Sequence, residues 1–472
     1  MNKKYLYILL VSCFLVACSS ETPTVSPPQP EQENDENKDT DPNLDSDSAC
    51  EFPKDFSDKL VGKKVKIKNE LVVVRTYGDK LEGMITLAPS ILRIPTELTL
   101  PGTDAYHALA IANRDSKLSI AAIGISLLDP AFQTLRVGTK LSALEGTVSK
   151  DKERFKLTLT AAPKIEHAKR PSYSAMEKAD VSIVSMNLEY YMASPSMWEH
   201  SNGARDEESF NRQNTKILAA MKDMKADIYA ICEIEEGNYS PAYLTKQLNQ
   251  ALGTTAYKFV DTGDAKVSSY TKNTFIYNSE TLKLVRDCRT YDADYLQLRH
   301  IIQGFQKTGT GEKFILSLNH FKSKSGKASG SNIDKHDGQG AHNSRRVEEA
   351  TNCLKSYAAM REYYGDNDVI VVGDLNSYSK EDPIRVFTDA GYVDELMKYS
   401  PDGWSYVYDG QVGYLDHILT SASMSPQVLH ASVWDVNASE PSALGYQFVD
   451  NFKSDAYRYS DHNPVIVYLD LK

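Results

Sequence analysis

The sequence predicts an α/β domain whose helices cover buried sheets, carried behind a smaller β-rich domain. Three observations predict it. From about residue 180 to the C-terminus, short apolar runs alternate with amphipathic helical patterns. Between about residues 60 and 165 the pattern is instead one of short strands and turns with little helical periodicity. The composition, 472 residues with 41% hydrophobic and 25% charged, 19 Pro and 25 Gly, excludes a collagenous, coiled-coil or wholly disordered chain and fits one large or two medium domains.

The first 18 residues read as an address. Lys3 and Lys4 precede an apolar run from Tyr5 to Ala17, too short for a transmembrane helix, and Leu15-Val16-Ala17-Cys18 resembles a lipobox. Lipidation is expected at Cys18. It would anchor the chain to a bacterial membrane on the extracytoplasmic side, the outer membrane, facing either the periplasm or the cell surface. Residues 19–57 are expected to form a disordered acidic stalk, because Pro, Asp, Glu, Asn and Ser bury too little surface to offset chain entropy. Ten acids in residues 21–51 stand against Lys38, so most of the formal charge of −11 sits here and the remainder is close to neutral. The acidic balance therefore does not exclude an anionic partner. Beyond Cys18, Cys50, Cys232, Cys288 and Cys353 form no CxxC pair, which argues against a zinc ribbon or redox motif.

In the β-rich region (58–170), strands are expected over 64–75, 118–125, 140–149 and 154–161, with Val65, Ile67, Leu157 and Leu159 alternating with polar neighbours. This suggests an incomplete OB-like barrel. In the region 178–472, apolar runs at 181–186, 227–231, 313–318 and 368–372 read as strands. Residues 211–225 (Ile217, Leu218, Met221) and 344–364 (Val347, Leu354, Tyr357, Met360, Tyr364) read as amphipathic helices, and residues 465–471 close the sheet.

What ends those strands is informative. The first stops at Asn187, the second at Glu233, the third at Asn319-His320 and the fourth at Asp374-Leu375-Asn376. Leu415-Asp416-His417 and Ser460-Asp461-His462 lie just ahead of two late strands. Side chains at strand carboxyl ends of α/β sheets line a common crevice. Taken singly, Gly373–Asn376 is as good a tight turn as a site, Glu233 a solvated strand end and His320 a core imidazole. As an ordered set of carboxylates, carboxamides and imidazoles they describe a hard-cation site with acid–base partners.

These residues resemble the endonuclease/exonuclease/phosphatase superfamily, the DNase I-like fold. The similarity is nearer to its bacterial extracellular nuclease branch through Asn211-Arg212-Gln213, Asn319–Lys324, Asp337–Gly340, Tyr406–His417, Trp434, Asn437 and Glu440-Pro441. Upstream, Pro95-Thr96, Pro101-Gly102 and Asn113 are similar to the β-rich region of that branch. Two positions depart from the pattern: Cys232 stands where Gln is usual, and Ile120-Ala121-Ala122 where acids are usual. The resemblance implies a four-layer α/β/β/α sandwich and divalent-metal phosphodiester hydrolysis, with Mg²⁺ the expected ion and Mn²⁺ or Ca²⁺ as alternatives. Glu233, Asn187 and Asp461 would be metal ligands. Asp416 would orient His462, His462 or Asp374 would activate water, Asn376 would orient that water or a phosphoryl oxygen, and His320 would donate to the phosphate.

The loop 321–346 carries Lys322, Lys324, Lys327, Lys335, Arg345 and Arg346 against Asp334 and Asp337. It suits backbone phosphates, read by charge without sequence preference. Arg212 is a further phosphate candidate or a helix-surface residue. No ladder of aromatic residues is evident, so no base recognition is expected. The expected function is a monomeric, membrane-anchored nuclease for DNA or another polynucleotide. A phosphatase or sphingomyelinase of the same fold, and a non-catalytic capture lipoprotein for nucleic acid or glycan, are the alternatives.

Overall fold

The computed structural model describes residues 48–76, 84–121, 134–200, 202–262, 270–290 and 299–472. Cys18, the signal segment and most of the expected stalk lie outside them. No described helix is long and apolar enough to cross a membrane.

The stalk ends sooner than its composition suggests. Ser48–Cys50 pairs in parallel with Lys64–Ile67, and Phe52 is buried in the barrel core beside Cys50. Burial of Cys50 and Phe52, with Phe56 packed edge-on against Phe52, draws this acidic segment onto the domain.

The barrel is built from five strands. The first is bent into Lys64–Ile67 and Leu71–Arg75; Met84–Ala88, Leu118–Ala121, the bent pair Lys140–Ser142 and Leu144–Asp151, and Arg154–Leu159 follow. The first strand pairs with the second and the second with the third. The third then runs parallel to the fifth, the fifth pairs with the fourth, and the fourth returns to both halves of the first. The circuit closes, so the OB-like barrel is complete rather than open. Its interior is the alternating set Val65, Ile67, Leu71, Val73, Ile85, Leu87, Leu118 and Leu157. The strand expected over 118–125 is described only to Ala121.

Behind the barrel stand two six-stranded sheets. In one, the neighbours run Tyr257–Phe259, Thr271–Asn278, Ile228–Glu235, Val181–Tyr191, Val465–Leu469 and Val428–Val433. In the other they run Leu282–Thr290, His300–Lys307, Lys313–Asn319, Val369–Asp374, Asp416–Thr420 and Val393–Asp394. Their facing sides share one core, with Ile183, Ile228 and Phe275 from the first sheet against Phe305, Leu316 and Val372 from the second. On the outer side of the first sheet, Val184 and Tyr229 pack against Ile217 and Met221 of helix Glu207–Met224 and Leu244 of helix Tyr239–Leu252. On the outer side of the second, Ile315 and Val369 meet Cys353 and Tyr357 of helix Asn343–Tyr364 and Phe387 of helix Asp382–Asp389. This is the four-layer sandwich. Strands buried on both faces need apolar residues at every position, which is why they read as continuous runs.

Helix Glu207–Met224 starts four residues ahead of its apolar pattern, because Asp206 and Ser209 form a capping box. Gly365, in the left-handed conformation, ends helix Asn343–Tyr364.

Pairing direction brings the polar strand ends together. Val181–Tyr191 is parallel to Ile228–Glu235, with Asn187 opposite Cys232. Both strands run on past the expected ends, so Asn187 and Glu233 stand at breaks in register inside their strands rather than at the strand ends. Lys313–Asn319 is parallel to Val369–Asp374, which aligns His320 with Asp374. Antiparallel pairing then sets Asp416 opposite Asp374 and Val465 opposite Ser185, so the segments entering these strands begin where the others end.

Gly373 makes this junction possible. Its φ is +122°, and a Cβ there would lie 2.0 Å from the Asn319 carbonyl oxygen. Gly373→Ala should therefore cost about 3 kcal/mol or more, from backbone strain and the clash together. Urea unfolding measures this, and a loss below about 1 kcal/mol would show that the junction can open without cost.

Candidate active site

At that common edge the side chains converge. Glu233 adopts φ +61° and Asn376 φ +48°, and the first lies where the ladder of its strand shifts register between Ile231 and Ile234. The bulge re-aims the carboxylate toward the rim. Asn187 Nδ2 donates to Asp374 Oδ2 at 3.3 Å, and the Tyr190 amide donates to Glu233 Oε2 at 3.2 Å. The Asn376 amide donates to Asp374 Oδ1 at 2.9 Å, and its side chain to the Phe321 carbonyl at 3.1 Å.

The two histidines are prepared in opposite ways. His462 Nδ1 lies 2.7 Å from Asp416 Oδ2, leaving Nε2 facing Asp374 Oδ2 at 3.8 Å. Burial alone would depress this imidazole, but Asp416, Asp374 and Asp461 outweigh it and hold its pKa well above the usual value. His320 is pushed well below the usual value by burial and by Arg299. Arg299 Nη2 lies 2.8 Å from His320 Nδ1 and 3.0 Å from Nε2, and Nε2 stands 3.7 Å from Glu233 Oε1 and 3.6 Å from Asp374 Oδ2.

Buried carboxylates crowd one another here. Burial pushes Asp374 up to about 7 against the pull of His462. Burial and the charge of Asp461 raise Glu233 and push Glu189 up to about 8. Among the described residues no three His, Cys, Asp or Glu side chains form a protein cage for a metal. A small hard cation needs none, since it takes one or two carboxylates and keeps waters for substrate. Glu233, the Asn187 carboxamide and Asp461 are oxygen donors of that kind in a site with surplus buried negative charge. The donor set fits a divalent ion.

Thus the structure brings Asn187, Glu233, His320, Asp374, Asn376, Asp416, Asp461 and His462 to one place. It does not bring Arg212, whose Nε donates to the Tyr446 carbonyl at 2.7 Å. Nor is the basic loop as free as its composition implies. Lys324 is held 2.5 Å from the buried Glu381, Arg345 lies 3.0 Å from Glu349, and the buried Arg346 donates to the Gln339 and Ala341 carbonyls at 2.6 and 2.8 Å. Lys322 donates to Ser323 and Ser325, and Lys327 and Lys335 are exposed.

Three further site residues, Arg299, Glu189 and Ser405, carry no sequence signal of their own, whereas Tyr406, from the stretch 406–417, packs its ring 4.6 Å from that of His462. Arg299 lies against both ring nitrogens of His320 and Glu189 adds a carboxylate. Ser405 Oγ accepts from the Leu415 and Asp416 amides at 3.0 Å each.

The barrel supplies one wall. The turn Pro95–Leu98 sends Glu97 into the second domain, where its carboxylate accepts from Ser379 Oγ at 3.0 Å and the Tyr414 amide at 3.4 Å. Thr96 Oγ1 donates to Glu381 at 2.8 Å. Pro95, Thr96 and Tyr106 thereby share a cavity of about 680 Å³ with Glu233, His320, Asp374 and His462.

The model of the Endonuclease/Exonuclease/phosphatase family matches residues 193–462, more than half of the chain. Among solved structures, an endonuclease/exonuclease/phosphatase from Bacteroides vulgatus is similar at 14% identity and a TM-score of 0.42, over 62% of this chain and 99% of that one. A mannosyl-6-phosphatase from Bacteroides thetaiotaomicron is similar at 18% identity and a TM-score of 0.42, over 62% and 100%. A D. rerio TDP2 complexed with a single-strand DNA product follows at 16% identity and a TM-score of 0.39, over 61% and 98%. No curated protein matches the chain in sequence.

The raised pKa of Asp374 sets a sign. Its ordinary value is 3.8 and its folded value about 7, so the folded state binds more protons than the unfolded state between them, and stability falls as pH rises through that window. Asp374→Asn should remove this slope. With both proteins in chelator, the melting temperature of the variant should gain on the native protein between about pH 5 and about pH 8, while hydrolysis is lost. A variant that instead loses ground to the native protein as pH rises over that range would show that Asp374 is stabilised as the anion.

Proposed function

The chain belongs to the endonuclease/exonuclease/phosphatase family, and on that premise we propose that it is a divalent-metal-dependent phosphodiesterase acting as a nuclease on DNA or another polynucleotide. The observation that carries this reading is the pairing of a protonated, Asp416-oriented His462 with a buried Asp374 across a 3.8 Å gap. A phosphodiester resists attack until its charge is neutralised, and the site offers both the donors and the base for that.

Glu233 with Asn187 and Asp461 would hold the cation, most suitably Mg²⁺, which when bound polarises the phosphoryl oxygens. Asp374, with a pKa near neutrality and one oxygen held by the Asn376 amide, accepts a proton from the attacking water. His462 presents Nε2–H to the phosphoryl group, and Asp416 at 2.7 Å keeps the ring charged and oriented. His320, with Arg299 against its ring, would donate to a phosphoryl oxygen.

With this reading go the expected lipid anchor at Cys18, an extracytoplasmic location on the outer membrane and a monomeric state. One observation favours a second reading. The cavity is walled by the barrel, and Lys324, Arg345 and Arg346 are committed to internal partners, which suits a small phosphomonoester better than a long duplex.

The purified protein should degrade plasmid DNA with Mg²⁺ and stop on EDTA, and His462→Ala should lower the rate by at least about a hundredfold, in line with loss of a positioned acid–base group. Full activity in chelator would overturn the metal assignment. Hydrolysis of a sugar phosphate or sphingomyelin in parallel assays, with DNA untouched, would favour the alternatives.

A further inference from the structure

A second cavity adjoins the first. About 730 Å³ in volume, it lies on the seam between barrel and sandwich and is lined by Arg75 of the barrel and by Arg458, Phe448 and Tyr446 of the catalytic domain. Tyr408 lines both cavities. It belongs to the hairpin formed by Tyr406–Tyr408 and Gln411–Gly413, whose first residue packs on His462. Tyr408 itself is 64% exposed. What marks this ring is its place: it stands at the junction of the two cavities with its face open to solvent.

The charge beside it is predominantly positive. Asp409, at the hairpin turn, takes Arg75 at 3.1 Å, Lys117 at 3.0 Å and Arg154 at 2.6 Å. Three cations on one carboxylate leave that corner positive, and Arg458 adds another cation to the lining. Glu440, also in the lining, is held by Arg136 at 3.0 Å and Arg170 at 2.8 Å, and Glu189 is the remaining acid there.

We propose that the barrel and the sandwich form one continuous groove for a single polynucleotide strand, in which Tyr408 stacks on the base beside the scissile phosphate and the seam around Arg75 and Arg458 receives the next backbone phosphate. This rests on the nuclease reading above and adds to it where the strand runs and what holds the base. Stacking on an aromatic ring serves any base, so it confers grip without sequence preference, and a positive groove that tracks the backbone is its usual companion. The three tyrosines Tyr106, Tyr406 and Tyr408 come together only in the fold, from the barrel helix and the hairpin, which is why no aromatic ladder is visible along the chain.

The test compares Tyr408→Ala and Tyr408→Phe on two substrates, a single-stranded oligonucleotide and bis(p-nitrophenyl) phosphate, which is too small to reach the seam. Loss of one stacked base should lower kcat/KM for the oligonucleotide in the Ala variant by about fivefold to a hundredfold. The Phe variant, and both variants on the small ester, should stay within about twofold of native. An abasic site next to the cleavage position should cost the native enzyme a similar factor and the Ala variant almost nothing, since both remove one interaction. Oligonucleotide cleavage unaffected by Tyr408→Ala, or an abasic penalty that persists in that variant, overturns the stacking role while leaving the nuclease reading intact. Turnover of the small ester by the native protein with no oligonucleotide cleaved overturns the nuclease reading itself and the groove with it.

Discussion

An ionised carboxylate inside a protein is costly unless a counter-charge stands beside it. This chain buries Asp374, Asp416 and most of Glu233 within hydrogen-bond or ion-pair reach of two histidines, and burial displaces Asp374 and Glu233 toward the neutral form. Nothing in apolar packing requires acids there. The sheets must therefore be stable enough to hold them, and the continuous core between the facing sheets, with both outer faces covered by helices, is what makes the concentration of charge tolerable. Stability and chemistry are thus arranged at right angles: the core runs through the layers, and the reactive groups sit at their edge.

The same crowding explains why the histidines differ although both are buried. His462 is surrounded by three carboxylates and keeps its proton; His320 faces Arg299 and gives it up. One edge of the site therefore offers a charged donor and the other a neutral one, with Asp374 between them. A difference of this kind follows from second neighbours rather than from the imidazoles, so Arg299 and Asp416 matter as much as the rings they touch.

Much of this was legible in the linear chain, for an identifiable reason. Strands buried on both faces have to be apolar throughout, so 181–186, 227–231, 313–318 and 368–372 stand out, and a polar residue ending such a run has been released from the core into the crevice. Asn187, Glu233, His320 and Asp374 are each ambiguous on that ground and become visible as an ordered set. What was not legible is whatever depends on a partner distant in sequence. Arg299 is one cation among many until pairing of His300–Lys307 with Lys313–Asn319 sets it beside His320. The lysines and arginines of 321–346 look free because their partners, Glu349, Glu381 and backbone carbonyls, are revealed only by the fold. Cys50 and Phe52 show the converse, a few apolar side chains that outweigh an acidic neighbourhood once a barrel is there to receive them.

The barrel bears on specificity in a way that the catalytic residues cannot. A site made only of carboxylates, imidazoles and a cation responds to phosphate and treats most phosphoesters alike, so choice among substrates must come from the walls. Here one wall is foreign to the sandwich. Thr96 and Glu97 reach across to Glu381, Ser379 and Tyr414 through short hydrogen bonds, and Glu97 is fully buried, so the barrel is held in register with the catalytic edge rather than loosely tethered to it. A buried carboxylate that takes its hydrogen bonds from the other domain, with Arg93 of its own domain at 3.6 Å, ties the fit of the seam to the stability of both. Selectivity can then change by substitution on the barrel face and the hairpin Tyr406–Gly413, while Glu233, Asp374 and His462 stay as phosphoryl chemistry requires them.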